Sequence, residues 1–539
     1  MKLYNFKNIL MGAAMVVASA GLSSCVGDLD VENINPQKET STQFDYILNK
    51  LYANMVLTGQ KGPDGQGDLD DIDEGTSSMI RQLWNAQSLT TDEAKCVWGD
   101  EGIPEFNHNS WTDAHPMMKA LYYRLYFGIT MANFYLENAN GSDAENLTKR
   151  AEARFMRALH MYYLLDLWGN VPIKTTVSAE STPQSPRADV FAFVEKELKA
   201  VIGEGEGNEV LADKAPAYGR ADKVAAYILL SRLYLNAEVY TGTAQWQKAK
   251  DYAGKAMNGG YSLCKNGLNG YSAYQLLFMG DNDTNGAQTE IVLPAIHDGI
   301  NTQTWGGCLF IIASTNGKDS KTGAPNIDLG STEAWGGNRS TIQYVQKFIT
   351  DDSNIKDLLN PADVATAVGD DRALFSCSKH TMNMEDESDY YSGYAYNKFT
   401  NIHADGTAHK HSQFVDTDFP MIRLAEAYLN YAEADARLNG NRCTADGLGK
   451  IKEIRSRAHA TVPSAFTLED ICDEWAREFG FECMRRTTLI RFGKFGGDSN
   501  YYWQWKGGTA NGRQIDSKYN LFAIPNSVVS ETIKQNPGY

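Results

Sequence analysis

Alanines paired with large aromatics at helical spacing constrain this chain more than any other feature. Ala225, Ala226, Leu229, Leu230, Leu233 and Tyr234 share one helix face within 221–258, and Trp246, Ala249, Tyr252, Ala253 and Ala256 line a second. Small residues beside rings let two such helices approach closely, as in tetratricopeptide-like arrays. The pattern returns at 422–438 through Leu424, Ala425, Ala427, Tyr428, Tyr431, Ala432 and Ala434, with a partner at 446–459. Helices are also expected from near Phe44, over 114–139 and 145–167, and from Thr467, whose Thr-Leu-Glu-Asp resembles a capping box. The repeats are degenerate, and a plain bundle of helical hairpins would give much the same pattern. Between about 260 and 415, glycine, asparagine and serine dominate around short apolar runs, Ile291-Val-Leu-Pro and Leu309-Phe-Ile-Ile-Ala, which predict loops and a few short strands. The expected fold is mainly α. It has a tetratricopeptide-like helical-repeat scaffold over about 43–260 and 416–500, and a loop-rich ligand-binding region over about 261–415 plus the 59–112 loops.

The first residues address export. Lys2 and Lys7 precede an apolar run from Ile9 to Ala18, too short to span a bilayer, and the run ends at Leu22-Ser-Ser-Cys25. This is the form of a lipoprotein signal peptide over 1–24, with Cys25 as the acylated first residue of the mature chain. An ordinary signal with an incidental cysteine is the alternative. Residues 25–42 then read as a polar, flexible tether. After residue 25 no long uncharged apolar stretch recurs. The chain has 50 Lys+Arg against 67 Asp+Glu, a net charge of −17, which disfavours nucleic acid and anionic lipid and suits neutral ligands. Besides Cys25, seven scattered cysteines without a CxxC do not read as a disulfide framework or a zinc motif; Cys472 and Cys483 read as core thiols, with an isolated disulfide as the alternative.

Five ordered motifs carry a resemblance over nearly the whole chain. They are Arg150-Ala-Glu-Ala-Arg-Phe-Met-Arg-Ala-Leu159 running on to Asp166-Leu-Trp-Gly-Asn-Val-Pro172, and Gly219-Arg-Ala-Asp222. Further on come Arg423-Leu-Ala-Glu-Ala-Tyr428, then Trp475-Ala-Arg-Glu-Phe-Gly-Phe-Glu482 with Arg485, Arg486, Leu489 and Arg491, and finally Ile524-Pro525 with the terminal Gln535-Asn-Pro-Gly-Tyr539. Together with the Cys25 motif they resemble the SusD/RagB outer-membrane lipoproteins. The resemblance implies a glycan-binding protein at the cell surface, anchored in the outer membrane and facing outward. It also implies that the protein caps a TonB-dependent SusC-like transporter and is not an enzyme. Read from the residues alone these motifs are scaffold: Glu474, Arg477, Glu478, Glu482 and Arg485 stand at i,i+3 and i,i+4 spacings that allow ion-pair ladders.

Sugar recognition requires flat aromatic platforms for apolar ring faces and carboxylates, amides or guanidiniums for hydroxyls. Trp98, Trp305 and Trp335 lie outside the helical repeats, the latter two before Gly-Gly, which keeps neighbouring bulk from the indole face. Taken singly, each also fits buried packing. The resemblance implies that all three form an arc for an α-glucan such as starch or a malto-oligosaccharide, with Asp73 and Arg81 as polar contacts. The amide expected after the first tryptophan is replaced here by Asp100 or Glu101. Asp281-Asn-Asp283-Thr-Asn285-Gly286 opens like a calcium loop, but its twelfth position is Val292, and an acidic turn explains it equally well. The family's structural calcium site implies that Asp416 and Asp418 complete it. No HExxH, GxSxG or P-loop is present, and Gly203-Glu-Gly-Glu-Gly207 is too acidic for phosphate. The alternatives to glycan capture are a tetratricopeptide-type interaction lid without its own sugar site and, further off, a glycoside hydrolase.

Overall fold

Alanine-lined faces do what their spacing demands. In the computed structural model, which describes residues 41–539, helices Pro116–Asn138, Ala144–Leu167, Arg187–Val201, Lys223–Leu235 and Trp246–Met257 pack each upon the next. The series does not stop where the chain leaves it. Helix Ala425–Leu438 packs directly on Trp246–Met257, and Ala445–Arg457 packs on Ala425–Leu438. Ala249, Ala253, Ala256, Ala427, Ala432 and Ala434 are fully buried, so the loop-rich segment is an insertion into a continuous array. Helix starts follow side-chain capping: Asp143 accepts from the Asn146 amide, Asp222 from Ala225, and Thr467 and Asp470 satisfy each other's amides as a capping box. Helix makes up 41% and strand 6% of the structure. Residues Ile47–Tyr539 form one compact unit. The signal peptide, Cys25 and the tether up to residue 40 lie outside the described residues.

The insertion holds short antiparallel ladders. Strand Ile291–Ala295 pairs with Phe419–Arg423, and Ala94–Cys96 pairs with Asn338–Ser340. One apolar run departs from the strand expectation. Leu309–Ala313 belongs to helix Gly307–Ser314, all eight residues of which are buried. An apolar run buried on every side carries no periodicity, so length and composition alone could not separate helix from strand there. Seven cysteines are described; all are free thiols, Cys472 and Cys483 among the buried ones.

A buried ion cluster fastens the insertion to the array. Arg423, at the end of its strand, donates to Glu290 at 3.0 Å, to Glu478 at 2.7 Å and to Glu482 at 2.7 Å. Arg457 reaches Glu290 and Glu478, Arg372 reaches Asp370, Glu474 and Glu478, and Lys398 pairs with Glu482. The expected helix ladder is therefore largely replaced. Only Glu474–Arg477 pairs along the helix, whereas Glu478 and Glu482 reach arginines distant in sequence, and Arg485 binds Asp92 at 2.7 Å. Burial alone would raise the Glu474 carboxyl, but Arg372, Arg477 and Arg455 outweigh it and hold the group down at about 2. Its contribution to stability is thus complete above the ordinary carboxyl value and is lost as the pH falls from there through about 2.

The Arg423→Met variant leaves interior carboxylates short of partners. It should cost on the order of 3–5 kcal/mol in urea unfolding. Lys265→Met, which breaks the exposed pair with Glu453, should cost less than about 1 kcal/mol. Equal losses would mean that the cluster is not structural.

Candidate functional site

A single helix and a single strand pair position the three tryptophans. Trp98 follows strand Ala94–Cys96, whose register with the second strand sets Cys96 opposite Asn338, and the Val97 amide continues the ladder to the Gly337 carbonyl at 3.1 Å. Trp335 therefore arrives beside Trp98, the ring centroids 6.3 Å apart and the planes inclined at 54°. The backbone amides of Trp335, Gly336 and Gly337 donate to the carbonyls of Ala313, Asn316 and Ser314, at and just beyond the end of helix Gly307–Ser314. At the other end of that helix stands Trp305, 6.3 Å from Trp335 with planes at 52°. Phe310, buried on the same helix, meets Trp98 edge-on at 6.2 Å and lies beneath the Arg81 guanidinium at 5.0 Å.

The glycines after the tryptophans are required, for reasons other than clear space above the indoles. A Cβ at Gly337 would lie 2.4 Å from the Trp98 ring, whereas one at Gly306 would strike Ser78 and one at Gly307 would strike His297, both at 2.2 Å. Gly337 thus makes room for its neighbour in the arc. Gly306 and Gly307 let the helix seat closely in the core.

Trp98, Trp305, Trp335, Arg81, Asp73 and Asp100 line one open cleft of about 1220 Å³. All three indoles are half-buried, each with part of its surface open, in contrast to Trp84, Trp111, Trp168 and Trp503 in the core. Asp100 lines the cleft, and Glu101 does not. Arg81 Nη1 donates to the Gly75 carbonyl at 3.3 Å, while its Nε is buried without a partner. Asp73 accepts from the amide and hydroxyl of Thr76, so its carboxylate is fixed in a turn.

The sequence reading missed residues of the same cleft. The loop from Pro63 to Gly75 forms its other wall, and Asp64 accepts the Trp305 indole N–H at 2.9 Å. Outside the lining, Glu333 accepts that of Trp335 at 2.7 Å, which fixes the ring. Glu74 lies in the wall with one carboxylate oxygen buried and unpartnered. Burial, with Asp73 adding, pushes its pKa up to about 7. No spacing rule marks such a residue, because its perturbation comes from what covers it. The loop is pinned by Arg124 of helix Pro116–Asn138, which donates to Thr58 and Asp68 on one side and to the Ser77 carbonyl and hydroxyl on the other. Asp64, Asp70, Asp71, Asp73, Glu74 and Asp100 against Arg81 make the cleft acidic, hostile to anions and open to neutral ligands.

Among the described residues no three His, Cys, Asp or Glu side chains gather closely enough to hold a metal, around Asp281, Asp283, Asp416 and Asp418 included. The Asp281 carboxylate is occupied by the Asn285 side chain at 2.9 Å and the Asp405 amide at 3.1 Å, and Asp283 is exposed. Two oxygens suited to a hard cation, Asp416 Oδ1 and Asp418 Oδ2, are buried without a hydrogen-bond partner, the former 3.9 Å from the Lys410 ammonium.

Fold and cleft together define a helical-repeat body built to bind a ligand in an aromatic groove. A family model described as "SusD family" matches residues 368–539, and one described as "Starch-binding associating with outer membrane" matches residues 29–235. The chain is 37% identical over 582 aligned residues to the starch-binding protein SusD of Bacteroides thetaiotaomicron, with 100% of both chains covered. A solved SusD-like protein of Bacteroides fragilis superposes with a TM-score of 0.67 at 17% identity, covering 93% of this chain and 97% of that one. A laminarin-binding SusD-like protein superposes with a TM-score of 0.65 at 21% identity, covering 92% and 99%. The chain belongs to the SusD family, a family of glycan-binding proteins and not of enzymes. No helix among the described residues is long and apolar enough to cross a membrane.

Glu74 gives the cleft a pH signature. Its pKa in the fold lies above the ordinary carboxyl value of 4.5, so between 4.5 and about 7 the folded state holds the extra proton and stability falls as the pH rises. Glu74→Gln keeps the neutral shape. The variant should gain melting temperature relative to wild type at pH 8 and gain little at pH 4.5, as followed by calorimetry. A difference that does not change with pH would contradict the assignment.

Proposed function

We propose that the protein captures a neutral, turning glucan of the starch or malto-oligosaccharide type on the Trp98–Trp335–Trp305 arc. The observation that carries this reading is the inclination between neighbouring rings, 54° from Trp98 to Trp335 and 52° from Trp335 to Trp305. A flat ribbon of sugars cannot lie on all three faces, whereas a chain that turns at each residue can. Arg81, Asp73 and Asp100 supply a donor and acceptors for hydroxyls at the foot of the rings, and the acidic walls disfavour uronate or sulfated chains. The starch-binding relative from Bacteroides thetaiotaomicron supports the same ligand class. An interaction lid without its own sugar site leaves three half-open tryptophans in one cleft unexplained.

Capture places the protein at the outer-membrane surface, as the second family description indicates. It is held there by acylated Cys25, faces outward, and passes oligosaccharide to a TonB-dependent SusC-like transporter. Cys25→Ala should leave sugar binding by the purified protein unchanged and weaken uptake by cells. A structural calcium ion is part of this reading, with Asp416 and Asp418 as its carboxylate ligands. Calcium should then raise the melting temperature and EDTA lower it, and no response to either would remove the ion from the account.

Isothermal calorimetry of residues 26–539 with maltoheptaose, α-cyclodextrin and laminarihexaose tests the ligand. Maltoheptaose and the cyclodextrin should bind, and Trp335→Ala should weaken both at least about tenfold, the scale of a lost aromatic platform. Equal heats for wild type and variant would refute the arc, and preference for laminarihexaose would refute the linkage.

A further inference from the structure

The tryptophan cleft is rich in hydrogen-bond acceptors and short of donors. Asp64, Asp70, Asp71, Asp73 and Asp100 line it with carboxylates. Of the three indole N–H groups, that of Trp305 is given to Asp64 and that of Trp335 to Glu333. Arg81 spends Nη1 on the Gly75 carbonyl and has its Nε buried. A sugar hydroxyl can donate or accept, but ring and glycosidic oxygens only accept, so each further donor in the lining counts.

Glu74 lies in the same wall, half-buried, with its side chain against Gly67, where a Cβ would come 3.8 Å from the Glu74 Cγ. Its Oε2 is buried without a partner, and no donor among the described residues reaches Oε1, the oxygen left to the cleft. The charges that face the group do not satisfy it. All five N–H groups of Arg124, from helix Pro116–Asn138, are spent on Asn54, Thr58, Asp68 and Ser77. Arg81, from helix Met79–Trp84, lies over Phe310 and turns to Gly75. Asp73 and Asp64, from its own loop, repel a further negative charge, and Asp100 is another acid of the lining. Burial, with Asp73 adding and Arg124 opposing, already holds the Glu74 carboxyl at about 7. A sugar laid over Oε1 shuts out the remaining water. That penalises the charged form again, whereas the acid form gains an acceptor for its O–H.

We infer that Glu74 meets the glucan as a neutral acid, donating its O–H to a sugar oxygen, and that binding on the arc takes up a proton from solvent there. The inference rests on the glucan reading above and makes capture pH-dependent. Below the Glu74 value the acid is already present, and binding gains nothing from further acid. Above it the group must first be protonated, so affinity falls as the pH rises. Lys95, buried in the strand that leads to Trp98, also lies at about 7, so a variant as well as a pH profile is needed to identify the group.

Isothermal calorimetry of residues 26–539 with maltoheptaose, at pH 6 and pH 8 and in both phosphate and Tris at pH 7, tests this. The wild-type Kd should rise about tenfold from pH 6 to pH 8, following the loss of the protonated fraction. About half a proton should be taken up at pH 7, read from the difference in heat between the two buffers. Glu74→Gln keeps an N–H donor at this position. It should take up no proton, and its Kd should change by less than about twofold over the same range. A wild-type Kd that is equal at both pH values overturns the inference and leaves glucan capture intact. So does binding that takes up no proton or releases one, or a Glu74→Gln variant that weakens with pH as the wild type does. Absence of maltoheptaose binding at pH 6 removes the glucan reading, and this inference with it.

Discussion

Arg423 lies at the junction on which this structure depends. Its guanidinium is fully buried and meets three carboxylates: Glu290 from the insertion, and Glu478 and Glu482 from the C-terminal helical segment. Arg457 of the array shares Glu290 and Glu478, and Arg372 of the insertion shares Glu478. Removing so many charges from water is expensive, and an apolar core of the same volume would be about as stable. The cluster specifies position instead. A slip of the insertion against the array would strand charge in the interior, so a long loop-rich segment is held in one place although few regular elements bind it.

That fixed placement is what makes an aromatic cleft possible. Trp305 and Trp335 flank helix Gly307–Ser314, Trp98 is carried in by strand Ala94–Cys96, and Phe310 supports Trp98 and Arg81 from below. Each indole then keeps part of its surface open because its underside is packed. The opposite wall is a loop, yet Arg124 ties both of its ends to a long scaffold helix. The family motifs serve the frame and not the cleft. Asn536 of the terminal motif donates to the Trp168 and Phe522 carbonyls, and Tyr539 accepts the Trp111 indole N–H at 2.7 Å.

How much of this could be read beforehand depended on whether the signal was local. Helix pairs were legible because alanines at 3.6-residue spacing mark a close-packed face, and the cap at Thr467 because it lies within four residues. Helix Gly307–Ser314 was not legible, since burial on all sides erases periodicity. The ion cluster was half legible. The charges of the Trp475–Arg485 segment pointed to ion pairs, but spacing suggested partners along the helix, and only Arg477 with Glu474 obeys it. The gathering of Trp98, Trp305 and Trp335 followed from family resemblance. No spacing could have shown it, because an antiparallel strand pair distant in sequence brings them together. Glu74 had no sequence signal, because a carboxylate oxygen buried without a partner is a property of the fold alone.

The central claim is that a curved arc of three tryptophans, fixed by the inserted helix, receives a turning glucan. A crystal structure of the mature chain with maltoheptaose measures this most directly. The account predicts sugar rings stacked in turn on Trp98, Trp335 and Trp305, with hydroxyls on Arg81 and Asp73. A maltoheptaose that contacts none of the three indoles, or lies flat against only one, would contradict it.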